Sequence, residues 1–301
     1  VNPMHIDPVV ARRTQAGTTV VHGIHAMLWA LDALLASEPE VKAGGLVARF
    51  ERFIATDTEV SLWATSTARG VRLDVRQDET RLATITLAAE PPKAAPQSLA
   101  RTEAVAFPRT PAILDFEDTK ALEGCFAVEA GEALFPTVTS RFGPQTVRGL
   151  AALSTLVGMA APGLHSIFSS LELHLTEDRS RNLAFRVVNA HDVFRLLDIA
   201  VDGPGFAGKV EAFVRPPPVR QPSAAHLRGR IEPGRNAGVR ARVVGGSRGL
   251  GEVVAKLLAG GGARVAVTYA AGRDDAEAIA AEIRSAGGDC VALKLDVGGD
   301  V

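Results

Sequence analysis

The chain has 301 residues, 47% of them hydrophobic and 22% charged. That excludes a disordered tail, a collagen-like repeat and a disulfide scaffold, and the length predicts two or three domains at roughly 100–200 residues each. Lys plus Arg number 33 against 34 Asp plus Glu, a net charge of -1, so no global field recommends nucleic acid or an anionic membrane as partner. Aromatic residues are 5% with a single tyrosine, Tyr269, which argues against a stacking platform for single strands.

The two cysteines, Cys125 and Cys290, are far apart and form no CxxC. They read as reduced small core residues and point to a cytoplasmic compartment. The longest apolar stretch, 149–164, carries Ser154, Thr155 and Pro162, and is shorter than the roughly 20 apolar residues of a membrane span. The opening Val-Asn-Pro-Met-His has no basic segment followed by an apolar core, so no secretory signal is read there.

Three composition shifts divide the chain. The first segment, 1–89, opens with a loop and then a helix over 20–35, where Ile24, Met27, Leu28, Leu31, Leu34 and Leu35 follow the 3.6-residue period. It is apolar nearly all round, which predicts burial. Strands are expected over 45–54, 59–66, 71–75 and 81–88. One buried helix followed by four antiparallel strands suggests a sheet wrapped around a helix. Residues 90–101 read as a linker because Pro91, Pro92 and Pro96 remove ladder donors.

The segment 102–214 repeats that order more weakly, with a helix over 144–157 and strands over 166–176, 182–189, 194–201 and 208–214. The repeat rests on element order, without residue-level identity between the halves. The stretch 215–237, beginning Arg215-Pro-Pro-Pro-Val-Arg-Gln-Pro222, reads as a Pro/Arg-rich tether. An acidic carrier protein is one conceivable partner for its arginines, a solvated linker the blander reading. The last segment, 238–301, switches to strand 239–244, helix 250–259, strand 264–269, helix 274–286 and strand 289–295, which implies parallel strands with right-handed crossovers.

Two motifs carry chemistry. At the amino end, Asn2-Pro3-Met4-His5-Ile6-Asp7 is followed by Val20-Val21-His22-Gly23. Asn-Pro starts a turn and holds the next residues out of a helix, presenting His5 on a rigid loop. Gly23 opens the long helix, where backbone N–H groups lack intrahelical partners and can stabilise an oxyanion. A histidine beside such donors has the parts for proton transfer next to a carbonyl. His22 and His25 read as packing or polar-tip residues, and Asp7 as a cap or turn carboxylate. His165, His174 and His191 show no metal-ligand spacing, and no metal is expected.

This motif resembles the MaoC-like family of (R)-specific enoyl-thioester hydratases, whose hot-dog fold wraps an antiparallel sheet around a long helix. The resemblance implies that His5 belongs to the catalytic dyad and that the Gly23 N–H holds the thioester oxygen. It implies hydration of a 2-enoyl thioester, or dehydration of the (3R)-hydroxyacyl thioester, carried on CoA or an acyl-carrier protein. It also implies a homo-oligomer, since hot dogs commonly pair. Residues 102–214 resemble a second, degenerate hot dog that completes an acyl tunnel. The family's partner aspartate lies five residues before the histidine, which falls before Val1. With its first strand also missing and no initiator methionine, the chain is expected to begin inside a longer protein and to lack full hydratase activity as written. The alternative is that the hot-dog half is a non-catalytic docking or dimerisation module.

At the other end, Gly245-Gly246-Ser247-Arg248-Gly249-Leu250-Gly251 follows a strand and opens a helix, the context a dinucleotide fingerprint needs. No acid stands at the end of the next strand, Val267-Thr268-Tyr269-Ala270-Ala271, while Arg248 and Arg273 lie nearby. NADP is therefore favoured over NAD. This run, with Leu295-Asp296-Val297, resembles the short-chain dehydrogenase/reductase family, closest to 3-oxoacyl-thioester reductases. The resemblance assigns cofactor contacts to Gly245, Ser247, Arg248, Gly249, Leu250, Gly251, Asp296 and Val297. Val244 stands where that family usually has threonine. Its catalytic serine and Tyr-x-x-x-Lys lie well beyond the third strand, so the reductase chemistry is expected to fall outside residues 238–301. The whole reads as a double hot dog followed by the first half of an α/β Rossmann fold, a fusion enzyme of acyl-thioester metabolism.

Overall fold

A computed structural model describes residues 2–93, 96–97, 99–100, 102–129, 134–178, 180–217 and 220–298. The chain divides into two units, Val1–Pro217 and Pro218–Val301.

In the first unit the opening turn Pro3–His5 and the short helix α1 (Pro8–Ala11) lead to α2 (Gly23–Ser37), then β1 (Gly45–Phe50), β2 (Ser61–Thr67), β3 (Gly70–Gln77) and β4 (Thr80–Ala88). The second half follows as α3 (Phe116–Thr119), β5 (Glu123–Ala127), α4 (Pro136–Phe142), α5 (Pro144–Thr155), a π turn (Leu156–Ala160), β6 (Ser166–Leu175), β7 (Asn182–His191), β8 (Leu196–Gly203) and β9 (Phe206–Val214). All nine strands form one antiparallel sheet in the order β2-β3-β4-β1-β6-β9-β8-β7-β5. The halves join where β1 pairs β6, Gly45 opposite His174 through Arg49 opposite Ser170.

The order β6-β9-β8-β7 in the second half mirrors β1-β4-β3-β2 in the first. The second half has an additional edge strand, β5, beside β7. At the opposite end β2 borders on β3 alone among the described strands.

Both helices bury their apolar residues against this sheet in a single core. Ile24, Met27, Leu31 and Leu35 of α2 pack in the same cluster as Leu150 and Leu153 of α5, with Leu46, Leu73, Ile85, Leu171, Ile199 and Val210 from the strands. The apolar period of α2 thus does what its pattern predicts. Its outward stripe of His25, Trp29 and Ala33 is exposed instead. The halves are also tied by polar contacts. Asp32 on α2 accepts from the Thr137 and Val138 amides at 2.8 and 2.9 Å. It thereby caps α4, whose own N-cap residue, Phe135, supplies no side-chain bond.

The second unit holds α6 (Ala224–Arg228), β10 (Arg240–Val243), α7 (Gly249–Gly260), β11 (Arg264–Tyr269), α8 (Arg273–Ser285) and β12 (Asp289–Lys294). Its three strands are parallel in the order β10-β11-β12, as the β-α-β-α-β pattern requires. Ala255, Ala259, Val265, Val267, Ala280 and Ile283 form its core, with Cys290 among them. Burial raises the Cys290 thiol above its ordinary range.

Two stretches expected to be linkers are folded instead. Within 215–237, Ala224 and Leu227 are buried, three residues apart on one face of α6. Lys256 of α7, itself buried, donates to the Pro222 carbonyl and pairs with Glu252 and Glu282 at 2.6 and 2.9 Å. Glu282 also accepts from the Ala224 amide at 2.7 Å. The Pro/Arg composition concealed this clasp of one helical turn on α7 and α8. In 90–101, Leu99 packs on Cys125, Ala184 and Ala200. Ala184 points away from its neighbours Leu183 and Phe185, which belong to the main core, so Leu99 covers the opposite sheet face. Residues 94, 95, 98, 101, 218 and 219 of these stretches lie outside the described ones. No described helix is long and apolar enough to cross a membrane.

Candidate functional site

The amino-terminal motif folds as its residues dictate. Asn2 is extended and buried, and its side-chain oxygen accepts from the Met4 amide, capping the Pro3–His5 turn with Pro3 in the first position. Its amide nitrogen donates to the Gly158 and Leu164 carbonyls at 3.3 and 3.1 Å. The motif is therefore pinned to the second half of the unit. Asp7 accepts from the Val9 and Val10 amides at 2.8 and 3.1 Å, so it caps α1, as a turn carboxylate should.

His5 Nδ1 lies 2.8 Å from the Val20 carbonyl oxygen. A carbonyl only accepts, so Nδ1 carries the proton and Nε2 is left as the basic nitrogen. Burial holds the ring below the ordinary histidine range, against the Val20 bond, which favours the charged form. His22 stacks on it, ring centres 3.5 Å apart and planes 23° apart. His22 Nδ1 in turn lies 2.7 Å from Ser154 Oγ on α5. Burial first, then the nearby charges of His5 and His25, push His22 down to about 4. His22 was expected to be a packing residue, and the structure brings it into the site. His25 packs its edge on Phe135 at 5.1 Å.

These groups line a cavity of about 1020 Å³. His5, His22, Gly23 and Ser154 share it with the edge-to-face pair Phe50 and Phe168, one from each half, 5.3 Å between centres. Gly23 has no room for a side chain, since a Cβ there would meet the Phe50 ring at 2.8 Å. The first α2 amides have no intrahelical partner, so the cavity holds a basic imidazole nitrogen, a helix N-terminus and apolar walls. Arg215, after β9, also lines it. Burial lowers its guanidinium, and its Nε has no hydrogen-bond partner among the described residues. Among the described residues no group of three or more His, Cys, Asp or Glu is placed to hold a metal.

In the second unit the loop from Gly245 to Arg248 joins β10 to α7. Gly245 and Gly249 have φ of 69° and 58°, the left-handed region, with open space where a Cβ would stand. A Cβ on Gly251 would lie 2.5 Å from the Gly245 carbonyl, so only glycine lets α7 begin this close to the loop. Buried Thr268, on the neighbouring β11, accepts from the Gly245 amide at 3.2 Å, while Val244 is exposed. The loop anchor thus comes from the next strand and not from position 244. Ser247 is half-buried, Arg248 is exposed, and Leu250 and Val297 are largely exposed. Asp296 accepts from the Gly298 amide at 3.0 Å. Arg273 approaches Glu277 at 3.7 Å on exposed helix surface.

Sequence reasoning missed Ser154, Phe50, Phe168 and Arg215. The one available signal was Ser154 itself, a polar residue inside an apolar run.

Residues 240–300 match the family model described as short chain dehydrogenase. The short chain dehydrogenase/reductase nsrJ of Aspergillus novofumigatus is 45% identical over 65 residues, covering 22% of this chain and 25% of that protein. The versicolorin reductase stcU of Emericella nidulans is 43% identical over 58 residues, covering 19% and 22%. The chain spans about a quarter of the length of these curated relatives. A tesB protein of Mycobacterium avium subs paratuberculosis aligns over 65% of this chain and 88% of its own at 13% identity, with a TM-score of 0.45. The matches to reductases support a short-chain dehydrogenase/reductase segment at the carboxyl end.

Proposed function

We propose that the first unit is a MaoC-like double hot dog acting on acyl thioesters, (R)-specifically hydrating 2-enoyl or dehydrating (3R)-hydroxyacyl thioesters. The observation that carries this is His5, its Nδ1 fixed on the Val20 carbonyl and its ring lining an apolar cavity with Gly23. In hydration His5 Nε2 takes a proton from water as its oxygen bonds to Cβ of the enoyl group. Negative charge moves to the thioester oxygen, where the Gly23 N–H at the helix start receives it. The His5 imidazolium then returns that proton to Cα, which completes the addition and restores the neutral ring. The apolar walls from Phe50 and Phe168 suit an acyl chain.

Residues 238–301 supply, on this reading, the cofactor-binding half of an NADP-dependent 3-oxoacyl-thioester reductase. The open side of Gly245 and Gly249 and the α7 N-terminus fit a pyrophosphate, while Arg248 and Arg273 fit a 2′-phosphate. When bound, the nicotinamide supplies hydride transfer; this segment's residues bind and orient it. The two steps would share the (3R)-hydroxyacyl intermediate, which gives the fusion a chemical rationale.

A second reading, a non-catalytic docking or dimerisation module, draws on the described partners of the His5 ring. These are the Val20 carbonyl and the His22 ring, which burial holds uncharged. The test measures hydration of a short 2-enoyl-CoA by the protein as its whole gene encodes it, against His5→Ala. A loss on the order of 100-fold or more is expected for a general acid–base group. Equal rates would remove His5 from the mechanism and favour the docking module.

A further inference from the structure

We infer that Ser154 is a positioning residue for the His5 site, acting from the second half of the unit through His22. This rests on the hydratase reading of the cavity, but its geometry stands apart from it. The contact spans 132 positions of sequence and crosses from α5 to the start of α2. It joins three side chains in series: His5, the stacked His22, and Ser154.

An imidazole at a helix start turns about its Cβ–Cγ bond unless a partner holds it. Ser154 Oγ is that partner for Nδ1. A bond to one ring nitrogen fixes the plane of the ring, and a serine hydroxyl, which both donates and accepts, holds it in either neutral tautomer. The His22 plane is the floor on which His5 lies, so Ser154, through His22, supports the tilt toward the cavity that the Val20 bond gives His5. Two stacked imidazoles 3.5 Å apart cannot both be cationic without strong repulsion. Burial and the neighbouring charges already keep His22 neutral near pH 7. His5 is thus the ring free to accept a proton, and His22 remains a neutral support.

Nucleophilic attack by Ser154 is a different use of the same pair, and the chemistry disfavours it. A serine hydroxyl needs a base matched to the working pH, and a ring pushed down to about 4 is a weak one. The second half, which has no Asn-Pro-x-His of its own, contributes by holding the first half's imidazoles in place.

The experiment compares wild type, Ser154→Ala and Ser154→Thr in the whole protein, reading imidazole nitrogen shifts by NMR alongside kinetics on a short 2-enoyl-CoA. Wild type is expected to show a neutral His22 whose Nδ1 shift is displaced by the Ser154 hydrogen bond. Ser154→Ala should abolish that displacement and lower kcat on the order of tenfold with KM little changed. Ser154→Thr, which keeps the hydroxyl, should restore both. An unchanged His22 spectrum in Ser154→Ala overturns the proposal, whatever the rates do. So does an altered spectrum with wild-type kcat in an enzyme that His5→Ala inactivates. Loss of the hydrogen-bond shift in Ser154→Ala without any His5-dependent hydration would leave the positioning intact and reject the hydratase reading instead. Accumulation of an acyl-enzyme on Ser154 would overturn positioning in favour of nucleophilic catalysis.

Discussion

The His5 cavity is held together by side chains that are distant in sequence, whereas the loop after β10 is held by backbone packed against its own neighbours. In the first, Asn2 reaches carbonyls 156 and 162 positions away and His22 reaches a serine 132 positions away. In the second, the tightest approach is between Gly251 and the carbonyl of Gly245, six residues apart, with one longer tie to Thr268. A site made of side chains depends on the whole core staying packed. A backbone loop depends on a few positions where no side chain fits. The two should therefore fail in different ways.

The sharpest break is expected in the core beneath the cavity. Met27 lies one turn after Gly23 and is fully buried. Met27→Ala should cost about 2–5 kcal/mol through lost burial and the cavity left behind. Trp29 and Trp63, the only two tryptophans, both lie in the first unit. A denaturant titration followed by tryptophan fluorescence isolates that loss. Tyr269, the single tyrosine, lies in the second unit, and its signal should keep the wild-type midpoint. A shift in both would mean that the units do not unfold independently.

The reciprocal break is Gly251→Ala. Its methyl would press on the Gly245 carbonyl, so the loop or the start of α7 must move, at about 1–3 kcal/mol. NADPH affinity, read by fluorescence titration, should fall on the order of tenfold or more, because displaced amides no longer face the pyrophosphate. The tryptophan-reported midpoint should not change. Wild-type NADPH binding in this variant would reject the loop as the phosphate cradle.

The same difference explains how much of the molecule was legible in the sequence. The glycine loop, its strand and its helix could be read from 239–260 because the reasons for them are local. The α2 helix was equally clear, since Ile24, Met27, Leu31 and Leu35 keep one period. Strand β5 was missed because Glu-Gly-Cys-Phe-Ala neither alternates nor carries β-branched residues. Helix α4 was missed because its cap, Asp32, comes from another helix. His5 and Gly23 were named from a local motif, and both line one cavity. The roles of Ser154, Phe50 and Phe168 exist only once β1 pairs β6 and sets the halves side by side, and no local pattern encodes that pairing. The clasp at Pro222–Arg228 escaped for the same reason, as its partners Lys256 and Glu282 lie on later helices.

The mildest test asks whether the backbone loop needs its one long tie. Thr268 is buried on β11, and its hydroxyl accepts from the Gly245 amide. Thr268→Val keeps the shape and removes the acceptor, leaving that amide without its partner. A net hydrogen bond of this kind contributes about 0.5–1.5 kcal/mol, and Gly245 is itself exposed, so water can take over part of the bond. The expected loss lies at the lower end of that range, read by the Tyr269 signal. NADPH affinity should weaken by less than in Gly251→Ala, since the amide is freed and not displaced by a clash. If Thr268→Val weakened binding more than Gly251→Ala, the loop would depend on a distant side chain after all. The contrast with the His5 cavity would then be one of degree only.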